Sequence, residues 1–360
     1  MINLTPKLNS CLLSRPKAFY VTSSPQDFSD ERENLLQLHG KEIFHKGTCV
    51  GELEIEIPDF DSYEVWIIFP NSKQVSRFFR PSANSNTILL TERCDQYCTM
   101  CSQPPKAKDY LHFDLYKSAF ALVKGPAVIG VSGGEPLLYK RELFEFLNES
   151  ITQYSNIKFH ILTNGQHFNE VDIKTIENFR NNVIWAIPIY SHRRQEHDKI
   201  VGKIGAFKKL LSSLAILAKA SARVELRTVV LRENIFNLSN LALFISTIFP
   251  WAESWSIMQL EKIGFAKIDW ELKFFDTSSD FKFVAAALDV CAACDVTAHL
   301  FNFPRCTVPV KYRQKAVPSI SDWKVKYLDA CDHCVEKKNC AGVFEWYDAL
   351  DGYKNIGSIL

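Results

Sequence analysis

No stretch of this 360-residue sequence holds some twenty uninterrupted apolar residues, which argues against a membrane-spanning helix. An excess of charge of either sign is also missing. The 42 Lys and Arg stand against 41 Asp and Glu, for a net charge of +1, so no global field draws the chain toward nucleic acid or an anionic membrane. With 14 Gly and 15 Pro it lacks collagen-like or low-complexity character. From Met1 to Ser14 it carries Asn and Lys where a signal peptide needs an apolar run. The expectation is a cytoplasmic protein. What it has in quantity is apolar surface, 47% of residues, enough for two or three domains. It also has eleven cysteines. Without an export signal, metal binding explains them better than disulfides do.

Three regions follow from the patterning. Residues 1–82 read as a small, mostly-β domain with one helix. Gly51–Ile57 (GELEIEI) alternates with period two, and Tyr63–Phe69 (YEVWIIF) is β-rich and closed by Pro70. The polar stretch Arg80–Ser85 reads as a linker. Residues 83–265 alternate short apolar strands with helical patterns. The strands fall at Ile88–Leu90, Ala127–Val131, Lys158–Leu162, Val183–Ile189, Val224–Leu231 and Trp255–Leu260. Six β-then-α units predict an α/β fold with parallel pairing and right-handed crossovers. Either an open partial barrel or a doubly wound sheet fits that count. Residues 266–360 form a third unit, with a helix at Phe281–Cys294, a strand-like Val296–Phe303 and a cysteine-rich tail.

The cysteines cluster. Cys94, Cys98 and Cys101 form C-x3-C-x2-C just after the first strand of the α/β region. Three thiolates in one loop can hold three irons of a cubane and leave the fourth open to a ligand; a zinc site completed elsewhere is the competing reading. Val131-Ser132-Gly133-Gly134-Glu135-Pro136 closes the second strand. Paired glycines admit a close backbone approach, and Glu135 is a candidate acceptor for an ammonium group. Both motifs fall at C-terminal strand ends, where α/β barrels build their sites.

Together these motifs resemble the radical S-adenosylmethionine (SAM) superfamily. The resemblance implies a partial (β/α)6 TIM-like barrel. It also implies a 4Fe–4S cluster on Cys94, Cys98 and Cys101, with SAM chelating the open iron and its amine near Gly133, Gly134 and Glu135. Met100 stands where relatives carry an aromatic residue near adenine. Three further positions stay open. Asn164 either faces the site or is a turn residue, and Ser191 either contacts SAM or caps a helix. Arg227 either pairs with the SAM carboxylate or forms an ion pair with Glu225. His197-Asp198 through Gly202, Gly205 and Phe207 resembles a loop of peptide-modifying members.

Cys331-x2-Cys334-x5-Cys340, with Cys306 upstream, resembles the auxiliary-cluster module called Twitch or a reduced SPASM domain. Four thiolates suit a second 4Fe–4S cluster, and zinc is the alternative. Cys291 and Cys294 read as buried thiols of a packed helix, and Cys11 and Cys49 as incidental. Leu89–Cys94, Cys101–Lys106 and Ser319–Lys324 resemble the "C" radical SAM maturase of the His-Xaa-Ser system. That resemblance implies modification of a ribosomally made peptide carrying His-Xaa-Ser repeats. It further implies a possible second radical SAM maturase as partner and a flavodoxin- or ferredoxin-type electron donor. A radical SAM enzyme acting on a small molecule, or a non-catalytic iron–sulfur partner, are the competing functions. The N-terminal domain reads either as a peptide-recognition unit, offering Gly51–Ile57 as a strand edge, or as a cover for the barrel.

Overall fold

The structure is a computed structural model and describes residues 4–22, 33–57, 60–61, 63–83, 85–107, 111–154 and 156–360. Among the described residues, seven strands build the N-terminal unit: β1 (Leu8–Cys11), β2 (Lys17–Thr22), β3 (Leu35–His39), β4 (Glu42–His45), β5 (Thr48–Leu53), β6 (Glu64–Phe69) and β7 (Gln74–Phe79). They lie in the order β1-β5-β4-β3-β2-β6-β7. The residues ahead of β1 close this sheet. Val75 and Arg77 donate their N–H groups to the carbonyls of Pro6 and Leu4, and Leu8 donates to Lys73. The leading segment therefore lies against β7 while β1 itself pairs with β5. A sheet closed on itself has no free edge.

Two expectations change as a result. The strand over Gly51–Ile57 stops at Leu53, and it is flanked by β1 and β4, so it offers no edge to a peptide. The helix expected in this unit is not among the described residues. The run EVWIIF is buried from Glu64 to Ile68 because it serves two cores. Trp66 and Ile68 fill the interior with Phe19, Leu36 and Ile43, whereas Val65 and Ile67 face the next unit.

That unit is a second seven-stranded sheet, parallel throughout. Its strands follow chain order: β8 (Asn86–Thr91), β9 (Ala127–Gly133), β10 (Ile157–Leu162), β11 (Val183–Pro188), β12 (Arg223–Val229), β13 (Ser254–Met258) and β14 (Ala298–Phe301). All six expected strands are present. The seventh is the Val296–Phe303 segment, which the sequence suggested for the C-terminal unit. It pairs with β13 through Ser256–His299 and Met258–Phe301. Strict succession without closure makes an open half-barrel. Helices α1 (Phe113–Phe120), α2 (Lys140–Gln153), α3 (Ile173–Phe179), α5 (Ala206–Lys219), α6 (Leu238–Ile248) and α8 (Lys282–Ala293) pack on its convex side, whereas α4 (Arg194–Val201) and α7 (Trp270–Lys273) are short pieces within loops that pack with Met100 and Tyr190. Phe159, Ile161, Trp185 and Trp255 fill the core beneath the helices. Alternation leaves Lys158, His160, Glu225, Arg227, Ser256 and His299 on the concave face. The tail carries one small hairpin, β15 (Val325–Lys326) against β16 (Val343–Phe344).

Phe120 joins the β unit to the half-barrel. It is fully buried, and its ring meets Phe78 at 5.2 Å, Phe146 at 5.3 Å and Phe159 at 5.6 Å. Phe120→Ala is expected to cost about 3–5 kcal/mol, read from urea denaturation. A loss under about 1 kcal/mol would mean that this junction is not packed as described.

Candidate active site and auxiliary thiol site

The loop after β8 carries Cys94, Cys98 and Cys101, and it is fastened on every side by backbone. Tyr97 and Thr99 donate to the carbonyls of Val201 and Ile200 at the end of α4, and Phe265 donates to that of Cys101. These approaches need glycine. A β-carbon on Gly202 would lie 2.6 Å from the Tyr97 carbonyl oxygen, and one on Gly264 2.4 Å from that of Cys101. The turn at Gly133–Glu135 is closer still. Gly134 and Glu135 donate to the carbonyls of Thr91 and Arg93, both at 2.7 Å. A β-carbon on Gly134 would sit 2.0 Å from the Arg93 oxygen.

The three thiols are partly buried and close enough to oppose one another's ionisation. Burial pushes Cys94 up to about 11 and also raises Cys98 and Cys101. Asp95, between the first two of them, is the polar tie of the loop. It pairs with Lys203, lies 3.3 Å from His167 Nε2 and accepts from Asn164 Nδ2 at 2.8 Å. Burial opposes its ionisation, yet these donors hold its carboxyl well below the usual range.

Glu135 points inward. Its carboxylate accepts from Leu137 N at 2.8 Å, Thr163 Oγ1 at 2.6 Å and Asn164 N at 2.5 Å, and it is fully buried. Three of the acceptor positions of this candidate ammonium partner are thus taken by the protein itself. The side chain locks the end of β9 to the turn after β10. Asn164 is a turn residue that also grips the cysteine loop through Asp95. Ser191 accepts from Arg193 N at 3.0 Å and donates to Glu196 at 3.1 Å, a turn ahead of α4 rather than its cap, which is Arg193. Arg227 lies 3.5 Å from Glu225 and over the Phe301 ring at 5.8 Å. Met100 is buried in a core shared with Tyr190, Leu260 and Trp270.

Sequence reasoning missed the pair His160–Glu225. The two meet at 2.6 Å on the concave face, with the strand that carries Ala186 between theirs. Burial would raise Glu225, but His160 and Arg227 bring it down to about 2. Period-two reading of β10 and β12 puts both on the open face, but nothing local shows that they meet. Gly202, Gly264 and Lys203 were likewise invisible as loop fasteners. The His197–Phe207 segment acquires a physical role. Asp198 accepts from Gly205 N and Phe207 N, both at 2.7 Å, and His197 Nδ1 accepts from Tyr190 N at 3.3 Å.

The second thiol set is brought together from distant positions. Cys306, Cys331, Cys334 and Cys340 line one cavity, with Tyr327, Val343 and Ile356. Backbone N–H groups point at the sulfurs: Arg305 and Gly342 toward Cys340 at 3.2 and 3.4 Å, and Ile359 toward Cys334 at 3.5 Å. Cys291 is buried in α8 and Cys294 is exposed at its end, so neither joins this set. Among the described residues no helix is long and apolar enough to cross a membrane.

Burial brings the His197 pKa down to about 4, from an ordinary ~6.5. The unfolded chain takes up that proton first. The His197 contribution is therefore intact above about pH 6.5 and is lost as the pH falls toward 4. The urea midpoint of the wild type should fall more steeply across that window than that of His197→Gln. Equal slopes would contradict a buried neutral ring.

Comparison with known proteins agrees with this geometry. Residues 88–245 match the Radical SAM superfamily. The chain is 20% identical over 162 residues to the antilisterial bacteriocin subtilosin biosynthesis protein AlbA of Bacillus subtilis (strain 168), covering 43% of this chain and 35% of that protein. It is 27% identical over 169 residues to the cysteine-type anaerobic sulfatase-maturating enzyme of Clostridium novyi (strain NT), covering 44% of each. It thus spans less than half the length of these curated relatives. The crystal structure of Streptococcus suis SuiB bound to S-adenosylmethionine superposes with a TM-score of 0.50 at 14% identity, covering 59% of this chain and 49% of that one. The stretch that matches the Radical SAM superfamily thus carries the cysteine loop and the glycine turn at the same end of the sheet, and the half-barrel has the α/β fold of the SuiB structure.

Proposed function

We propose that this chain is a cytoplasmic radical SAM maturase that modifies a ribosomally made peptide of the His-Xaa-Ser repeat type. The observation that carries the enzyme class is the clamping of the Gly133–Gly134 turn onto the loop of Cys94, Cys98 and Cys101. In this reading the three thiolates hold a 4Fe–4S cluster. When bound, such a cluster would supply the electron that cleaves SAM to methionine and a hydrogen-abstracting 5′-deoxyadenosyl radical. The chain's own residues supply geometry. Gly133 and Gly134 let the turn close onto the carbonyls of Thr91 and Arg93, beside the loop where the methionyl amine of SAM would bind, and Glu135 fixes that turn by bonding to Thr163 and Asn164. Met100 backs the loop from the core, while Ser191 and Asn164 hold neighbouring loops. Arg227, on the concave face beside Glu225, is the proposed partner of the SAM carboxylate.

The cavity of Cys306, Cys331, Cys334 and Cys340 is assigned a second, auxiliary 4Fe–4S cluster. Sulfurs set around a cavity and met by backbone N–H groups suit an inorganic core. The peptide assignment is supported by the named roles of relatives. AlbA is a bacteriocin biosynthesis protein and the Clostridium novyi enzyme matures a sulfatase. The His-Xaa-Ser type is supported by the strings Leu89–Cys94, Cys101–Lys106 and Ser319–Lys324. A second radical SAM maturase and a flavodoxin- or ferredoxin-type donor complete the proposed system.

Anaerobic reconstitution is expected to give about two 4Fe–4S clusters per chain, since two thiolate sets are present. Joint replacement of Cys94, Cys98 and Cys101 by Ala should leave one. Stoichiometric zinc at the second site would refute the auxiliary assignment. The reduced protein should release 5′-deoxyadenosine from SAM, and co-expression with a His-Xaa-Ser repeat peptide should change the peptide's mass. An unchanged peptide alongside active SAM cleavage would point to another substrate.

A further inference from the structure

Arg80 opens the stretch that reads as a linker in the sequence, yet it is 6% exposed. It stands where all three units meet. On the N-terminal side, its Nε lies 3.8 Å from Glu64. That fully buried carboxylate already accepts from Trp66 Nε1 at 2.7 Å and from Arg77. Its backbone is held by the first residue of β8: Arg80 N donates to Asn86 Oδ1 at 2.8 Å, and Asn86 Nδ2 donates to the Arg80 carbonyl at 3.0 Å. On the C-terminal side, its guanidinium makes a two-pronged bond to Asp322, at 3.1 and 2.7 Å. Ser85 and Ser321 meet beside it at 2.9 Å.

From Asp322 the chain runs directly to the auxiliary thiol site. Lys324 pairs with Glu261 at 3.3 Å and lies over the Phe344 ring at 5.1 Å. Two residues on, Lys326 in β15 pairs with Val343 in β16. Lys326, Tyr327, Leu328 and Val343 all line the cavity of the four cysteines. Asp322 and Lys324 are thus successive fixed points ahead of the wall of that cavity.

We propose that Arg80 and Asp322 are positioning residues for the auxiliary site: the N-terminal barrel acts as a brace that sets the geometry of the second cluster. A buried guanidinium without a partner is strongly disfavoured, and Glu64 is already committed to Arg77 and Trp66. Arg80 therefore needs Asp322, and the pair pins the segment leading into β15. The planar fork of arginine fits a carboxylate in one orientation, which fixes direction as well as distance. This role suits a barrel whose edges are closed.

The inference rests on the second thiol set holding a 4Fe–4S cluster, and the experiment separates the two. Full-length wild type, Asp322→Asn, Asp322→Ala and Arg80→Lys are reconstituted anaerobically. Iron release to a ferrous chelator, the paramagnetic resonance spectrum of each reduced cluster and the urea midpoint are then recorded. The Asp322 variants should lose auxiliary iron roughly tenfold faster, the scale of losing a charge-assisted bond, with a changed auxiliary spectrum. The signal of the cluster on Cys94, Cys98 and Cys101 should stay unchanged. Arg80→Lys should fall between them and the wild type. Unchanged auxiliary release and spectrum would overturn the proposal. So would equal loss of both clusters with a lower urea midpoint, which would make the pair a general stabiliser. A wild type with one cluster, or with zinc, would instead overturn the cluster assignment on which the proposal rests.

Discussion

A carbonyl and a missing side chain hold this site together. The oxygen of Arg93 occupies the space where a β-carbon of Gly134 would be, so the glycine turn and the cysteine loop meet backbone to backbone. That contact sets the distance between the end of β9 and the three thiols. Glu135 follows directly in the chain, and its buried carboxylate carries the constraint on to Thr163 and Asn164 after β10. Asn164 returns it to the cysteine loop through Asp95. The circuit closes on itself, so each loop holds its shape only while the others do.

Buried and half-buried charge marks the joints of the molecule. Asp95 ties the cysteine loop to His167 and Lys203, Glu225 bridges His160 and Arg227, and Glu64 gathers Arg77 and Arg80. Removing charges from water is expensive, and well-packed apolar residues of the same volume often serve stability as well or better. What an ion pair adds is direction and a single permitted partner. These three sets sit where one element must meet another in a defined orientation, whereas the spans between them are held by ordinary apolar packing such as that around Phe120, Trp185 and Trp255.

The two thiol sites are built by opposite means. The first draws all its sulfurs from eight consecutive residues, so local chain geometry does most of the work and the surrounding glycines allow it to be enclosed. The second collects Cys306, Cys331, Cys334 and Cys340 over 35 positions, with little regular structure beyond the β15–β16 hairpin. A site assembled from loops needs an external reference, and the packing of Lys324 against Glu261 and Phe344 provides part of one.

By itself the sequence determined the elements whose signal is local. These were the six strands of the half-barrel, the cysteine spacing and the glycine turn, because periodicity and short-range covalent geometry are written along the chain. Tertiary structure alone decided the rest. Val296–Phe303 has the same pattern whether it edges the half-barrel or belongs to the tail; only pairing with β13 places it. Gly51–Ile57 alternates like an edge strand, yet β1 and β4 flank it, and the barrel is closed by residues Leu4–Leu8. Glu135 reads as an acceptor in the sequence, but only the fold shows that Thr163 and Asn164, some thirty residues on, donate to it. Arg80 reads as linker until Asp322, 242 residues away, gives it a partner. Hydrogen bonds and ion pairs between distant segments leave no periodic trace in either segment, so only the fold reveals which groups meet.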